Sequence, residues 1–208
     1  MSKVKVKICG LTSVTDAEYL NRYNADLAGI VLFFEKSRRN MPLEEAEKII
    51  AVLDRNISSC AVVVSPTVEQ IDRLSNTDFD YIQVHGELTE EVYQHCAKPI
   101  LKAFNVNDLV DFQRFADLEK IVGFVFDAAQ YGSGKTFDWG LLKTIDTKDK
   151  LVVLAGGLNT ENVCAAVLAV KPDIVDVSTG VESENKHGKD PEKIKKFIEN
   201  AKSVDISS

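Results

Sequence analysis

The feature that most limits how this chain can fold is a rhythm. Short apolar runs, most of them closed by a polar or turn residue, alternate with stretches of helical spacing, and the 208 residues contain eight such units. Residues 3–9 alternate lysine with apolar residues and end at Cys9, a period-2 strand pattern. Residues 28–34 form a continuous apolar run, as a strand buried on both faces requires. Further runs lie at 60–64, 81–84, 100–103, 122–127, 151–155 and 174–178. Between them, Thr12 to Asp16 offers N-caps for a helix to about Tyr23, and Pro42 opens the helix pattern LEEAEKIIAVLD. Helical stretches are also expected at 67–74, 90–96, 107–114, 140–145, 160–170 and 191–201. Strict alternation of this kind argues for a parallel sheet with helical crossovers. Eight units favour a closed α/β barrel, (β/α)8, over an open sheet. No Pro/Ser-rich linker interrupts the pattern, so one TIM-barrel domain with short loops is expected over residues 1–208.

Charge and cysteine usage narrow the function. The net charge of −7 argues for solubility and against general nucleic-acid binding, while leaving room for a local basic patch that holds phosphate. Cys9, Cys60, Cys96 and Cys164 lie far apart, with neither C-x-x-C nor metal-ligand spacing, so a reducing compartment and free thiols are expected. The three histidines, His85, His95 and His187, form no H-E-x-x-H pattern, and neither a metal site nor a cofactor is expected. The opening MSKVKVKICG has no apolar leader region, and the apolar stretch Leu27 to Phe34 is too short to span a bilayer as a helix. A cytoplasmic protein without membrane contact is the expectation.

In a barrel of this type the chemistry gathers at the C-terminal ends of the strands. Those ends carry Cys9, then Arg38 and Arg39 in the loop after the second strand, Gln83 and His85, Asp127, Gly156-Gly157, and Ser178-Thr179-Gly180. The glycine clusters after the last two strands suit a phosphate cradle, with a following helix N-terminus aimed at the anion. The Gly132–Gly134 turn within DAAQYGSGKTFDW could bring further backbone amides to the same anion, and Arg39 could add charge-assisted bonds. Cys9 and Asp127 are a titratable pair. A thiolate is a competent base when positive charge lies near it, and a buried carboxylic acid is a competent donor. Such a pair suits a proton-shuffling isomerisation that needs no cofactor. Read alone, a buried cysteine is ordinary core filler, the aspartate an ordinary helix N-cap, and His85 a local hydrogen-bonding group.

VKICGLT (6–12), KSRR (36–39), IQVHGE (82–87), LKAF (101–104), FD (126–127), GSGKTFDW (132–139), LAGGLNTENV (154–163) and VDVSTGVE (175–182) together decide between these readings. In this order and spacing the chain resembles the phosphoribosylanthranilate isomerases, the (β/α)8 enzymes of tryptophan biosynthesis, over nearly its whole length. The resemblance implies an Amadori rearrangement of N-(5′-phosphoribosyl)anthranilate to a 1-deoxyribulose 5-phosphate. It implies Cys9 as general base and Asp127 as general acid. It places Arg39 at the anthranilate end by the K-S-x-R spacing, while counting from the preceding glycine gives Arg38. It places the phosphate on Gly156, Gly157, Thr179 and Gly180, with help from Gly132 and Gly134, and counts His85 and Ser178 among the substrate-binding residues. The chain departs from the family pattern at Tyr131, Ala155 and Thr179, and none of these touches Cys9 or Asp127.

Two other functions fit parts of this pattern. The histidine-pathway isomerase acting on an aminoimidazole ribotide resembles a longer barrel with aspartates as both acid and base, whereas the first strand here ends in Cys9. A non-catalytic phosphoribosyl binder should keep the glycines and lose the acid or the base. The partner implied is a small phosphoribosyl substrate, bound by a monomer or homodimer.

Overall fold

The structure is a computed structural model, and it describes residues 3–105, 112–127, 139–184 and 188–205. Eight parallel strands form the wall: β1 (Lys5–Cys9), β2 (Leu27–Leu32), β3 (Ser58–Val64), β4 (Tyr81–His85), β5 (Ile100–Asn105), β6 (Ile121–Asp127), β7 (Leu151–Leu154) and β8 (Ile174–Val177). Each pairs with its neighbours in sequence, and β1 pairs with both β2 and β8, so the barrel is closed. At the seam Lys7 stands beside Leu27 on one side and Asp176 on the other, while Cys9 stands beside Gly29. The expected barrel is therefore the observed one.

Period two explains why the strands read as they do. Val4, Val6 and Ile8 face outward into the layer between wall and helices, where they are buried. Lys5, Lys7 and Cys9 share the opposite face. Leu27, Cys60, Val62, Leu101, Ala103, Val125 and Ile174 fill the barrel interior as a second apolar cluster. With apolar residues demanded on both faces, continuous runs result. In β6 the same alternation sets the site. Phe124 and Phe126 point outward and pack against Phe112, whose ring centroid lies 4.5 Å and 6.0 Å from theirs. Val125 then points inward, and so does Asp127, at the C-terminal rim.

Helices α1 (Val14–Tyr23), α2 (Leu43–Ile50), α3 (Val68–Ser75), α4 (Glu90–His95), α5 (Phe112–Ala116), α6 (Val163–Val170) and α7 (Pro191–Lys202) cover the wall. Their starts follow the sequence signals. Ser13 caps α1, Thr67 and Gln70 close a capping box on α3, and Asp190 accepts from the amides of Glu192 and Lys193 with Pro191 in the first turn of α7. Among the described residues no helix is long and apolar enough to cross a membrane.

Four elements differ from the sequence expectation. The second strand stops at Leu32 because Phe33 takes a positive φ of 57°. The polar loop that follows closes with a two-residue strand, Asn40–Met41, beside the end of β2. The helix expected from Gly140 is a 3₁₀ segment, Trp139–Thr144, and of the one expected over 107–114 the described part is Phe112–Ala116.

Candidate active site

At the C-terminal rim lies a cavity of about 210 Å³. Cys9, His85 and Asp127 line it from β1, β4 and β6, and Gly156, Gly157, Ser178, Thr179 and Gly180 from the segments after β7 and β8. Residues distant in sequence meet there because the inward-facing position nearest each strand end points to the barrel axis. Gly156 and Gly157 have φ of 82° and 67°, which other residues adopt only under strain, and they turn the chain sharply off β7. Gly180 is needed for a different reason. A Cβ there would lie 2.2 Å from the carbonyl oxygen of Leu158. This contact accompanies a parallel bridge between Asn159 and Gly180, which carries the β7–β8 pairing past the strand ends.

The loop after β2 reaches the same rim. Arg39 donates from Nε to Glu182 at 2.6 Å and from Nη2 to the Thr179 hydroxyl at 2.9 Å. Its aliphatic stem lies over Gly10, where an added Cβ would meet its Cδ at 2.4 Å. Arg38 also pairs with Glu182, from a more exposed position. Burial by itself would raise the Glu182 carboxyl, but hydrogen bonds from Arg39 and Arg38 outweigh it and hold the group below the usual carboxylate range.

Beneath the cavity floor the barrel carries charge. Lys7 is fully buried and its Nζ donates to Asp176 Oδ2 at 2.8 Å. Burial, the largest single influence, opposes the lysine charge, but the attractions of Asp176, Cys9 and Cys60 together outweigh it, and Lys7 stays above the ordinary lysine range. Burial pushes the Cys9 thiol up, Lys7 pulls it down, Asp176 raises it, and Lys189 pulls it down again. Lys189 is itself brought down to about 8 by burial, and its Nζ donates to the Ser178 carbonyl at 3.2 Å. His85 is lowered to about 3, first by burial and then by the charges of Lys7 and Lys102, so it is a neutral imidazole. Its Nε2 accepts from the Gln83 side-chain amide at 2.7 Å.

The sequence-expected residues Cys9, Asp127, His85, Gly156, Gly157, Ser178, Thr179 and Gly180 thus share one cavity, and Arg39 joins it through Thr179. Gly132 and Gly134 lie outside the described residues. One expectation changes: α6 begins at Val163, so the glycine pair after β7 is followed by an irregular segment rather than by a helix N-terminus. No group of three or more potential metal ligands occurs among the described residues.

The family model of N-(5'phosphoribosyl)anthranilate (PRA) isomerase matches residues 6–200. The chain belongs to the phosphoribosylanthranilate isomerase family. A relative named N-(5'-phosphoribosyl)anthranilate isomerase from Clostridium kluyveri is 42% identical over 207 residues, covering 97% of this chain and 99% of its own. The crystal structure of phosphoribosyl anthranilate isomerase from Thermotoga maritima superposes with a TM-score of 0.85 at 35% identity, covering 97% of this chain and 100% of that one. A phosphoribosyl anthranilate isomerase solved with reduced 1-(o-carboxyphenylamino)-1-deoxyribulose 5-phosphate is similar at a TM-score of 0.83 and 34% identity, again over 97% and 100%.

Three residues of the site escaped sequence reasoning: Lys7, Asp176 and Glu182. A signal for Lys7 was present. It shares the inward face with Cys9, and an inward lysine one step below the rim has to find a carboxylate inside the barrel. Glu182 stands in sequence only as the last residue of VDVSTGVE, yet it is 7% exposed and gathers both arginines.

Proposed function

We propose that the chain performs the reaction of the phosphoribosylanthranilate isomerase family, the Amadori rearrangement of N-(5′-phosphoribosyl)anthranilate in tryptophan biosynthesis, with Cys9 as base and Asp127 as acid. The observation that carries this reading is that a thiol from β1 and a carboxyl from β6 line one cavity whose other wall is the glycine-bearing end of β7 and β8. Asp127 gives a proton to the furanose ring oxygen. The C1′–O bond breaks, and the anthranilate nitrogen supplies the electrons that make the C1′=N iminium. The Cys9 thiolate then removes the C2′ proton, and that electron pair forms the C1′=C2′ bond while the nitrogen becomes neutral. The resulting enol becomes the C2′ ketone as its hydroxyl gives up a proton and C1′ takes one up, giving 1-(2-carboxyphenylamino)-1-deoxyribulose 5-phosphate, and the proton gained by Cys9 returns through solvent to Asp127. Aldose becomes ketose with no net redox change, so the acid and the base suffice.

Gly156, Gly157, Thr179 and Gly180 hold the phosphate in this reading through backbone amides and the Thr179 hydroxyl. Arg39 binds the anthranilate carboxylate. Two buried acceptors, Gln83 Oε1 and Asp176 Oδ1, have no hydrogen-bond partner among the described residues, and both side chains border the cavity. The hydroxyls of an open ribulose chain match them. The test is the loss of anthranilate-type fluorescence on mixing the protein with freshly made phosphoribosylanthranilate. Rapid decay with the native chain and only the spontaneous rate with Cys9→Ala supports the assignment; equal rates overturn it.

A further inference from the structure

We propose that Lys7 is the positioning residue of the reaction: its ammonium, fixed by Asp176 in the barrel interior, stands beside the Cys9 sulfur and supplies the positive charge that makes the thiol a base. The inference rests on Cys9 being that base. Its geometry comes from a missing side chain. An ideal Cβ on Gly29 would lie 2.9 Å from Cys9 Sγ and 3.1 Å from Lys7 Nζ. Sulfur and ammonium therefore converge on the same space, and that space exists because β2 has a glycine where it passes Cys9.

A buried ion pair is otherwise hard to account for. Replacing such a pair with apolar side chains is often neutral or stabilising, so stability alone is a weak reason to keep it inside a barrel. Here the pair has a use. A thiol leaving water loses the solvation that a thiolate needs, and burial accordingly pushes Cys9 up. Lys7 is the strongest influence in the other direction, through its charge. The charged groups that act on Cys9 are Lys7 from β1, Asp176 from β8 and Lys189 from the segment before α7, and Asp127 from β6 lines the same cavity. Asp176 raises the thiol, so its benefit is indirect. It keeps Lys7 protonated and in place. Lys7 holds its proton throughout, and only the sulfur changes protonation.

The experiment is the pH dependence of Cys9 alkylation by iodoacetamide, read for that peptide by mass spectrometry without substrate. Lys7→Met should move the midpoint up by about one pH unit or more, as loss of an adjacent opposite charge does, and slow alkylation near neutrality by about tenfold. Lys189→Met should move it less. The acid limb of kcat/KM should shift with Lys7→Met in the same direction while KM changes little. An unmoved midpoint, or a larger shift in Lys189→Met, overturns the proposal. Should Lys7→Met fail to fold, nitrogen-detected NMR of lysine ammonium groups in the native chain replaces it. The Lys7 signal should inflect at the Cys9 midpoint and lose that inflection in Cys9→Ala; a signal blind to Cys9 overturns the proposal. Alkylation requires no turnover, so a failure here is distinct from a failure of Cys9 as base, which the turnover of Cys9→Ala reads.

Discussion

Arg39 donates to the Thr179 hydroxyl at 2.9 Å, so the loop after β2 is fastened to the glycine-bearing end of β8. Arg38 pairs with Glu182 by the bond described above but is 43% exposed, against 16% for Arg39. The two arginines adjacent in sequence therefore have unequal access to the cavity. Arg39→Ala is expected to raise KM about tenfold or more, the scale of a lost charge-assisted hydrogen bond, with a smaller effect on kcat. Arg38→Ala should change either constant by less than about threefold, within the usual range for exposed ion pairs. Steady-state kinetics on both variants checks this, and equal effects would place the wrong arginine in the site.

Cys9→Ala and Asp127→Asn should each lower kcat by about 10²-fold or more, as removal of a positioned base or acid does. The double variant should lose little beyond the worse single one, because both groups serve one reaction. Single-turnover kinetics reads this directly, and near-native turnover in either variant contradicts its role.

Gly180→Ala puts a methyl group against a backbone oxygen rather than a side chain that can swing away. The expected cost is about 1–3 kcal/mol, the usual range for overpacking. Thermal unfolding with and without inorganic phosphate measures both losses: a lower Tm, and a smaller upward shift on adding phosphate.

His85 links stability to pH. An unfolded chain takes up its proton near pH 6.5, whereas the folded one waits until about 3. Between those values the unfolded state binds more protons, so acidification favours unfolding by at most about 1.4 kcal/mol per pH unit from this group. Above pH 6.5 the contribution vanishes. His85→Gln should flatten the acid side of the stability curve between pH 6 and 4 by up to about that slope, as measured by urea unfolding at several pH values.

The strands were legible because burial on both faces leaves no room for ambiguity: runs such as Gly123 to Phe126 cannot belong to a one-sided sheet. Many of the rim residues were legible because turn glycines mark the ends of β1, β4, β7 and β8. Less legible were positions whose meaning depends on a partner far along the chain. Asp176 sits within an apolar run and reads as an interruption until Lys7, separated from it by 169 positions, is seen at the next place in the wall. Glu182 is the same case, since only the closed barrel brings it to Arg38 and Arg39. The break at Leu32 depends on a single positive φ at Phe33, which propensity does not foretell for an aromatic residue.

The bridge between Asn159 and Gly180 makes the proposed anion grip a continuation of the wall itself. A grip built that way is already ordered before any ligand arrives, so little association free energy is spent on freezing chain at that end. The phosphate can then act as an anchor, and the binding energy of this unreactive end of the molecule becomes free to hold the sugar carbons in line with sulfur and carboxyl.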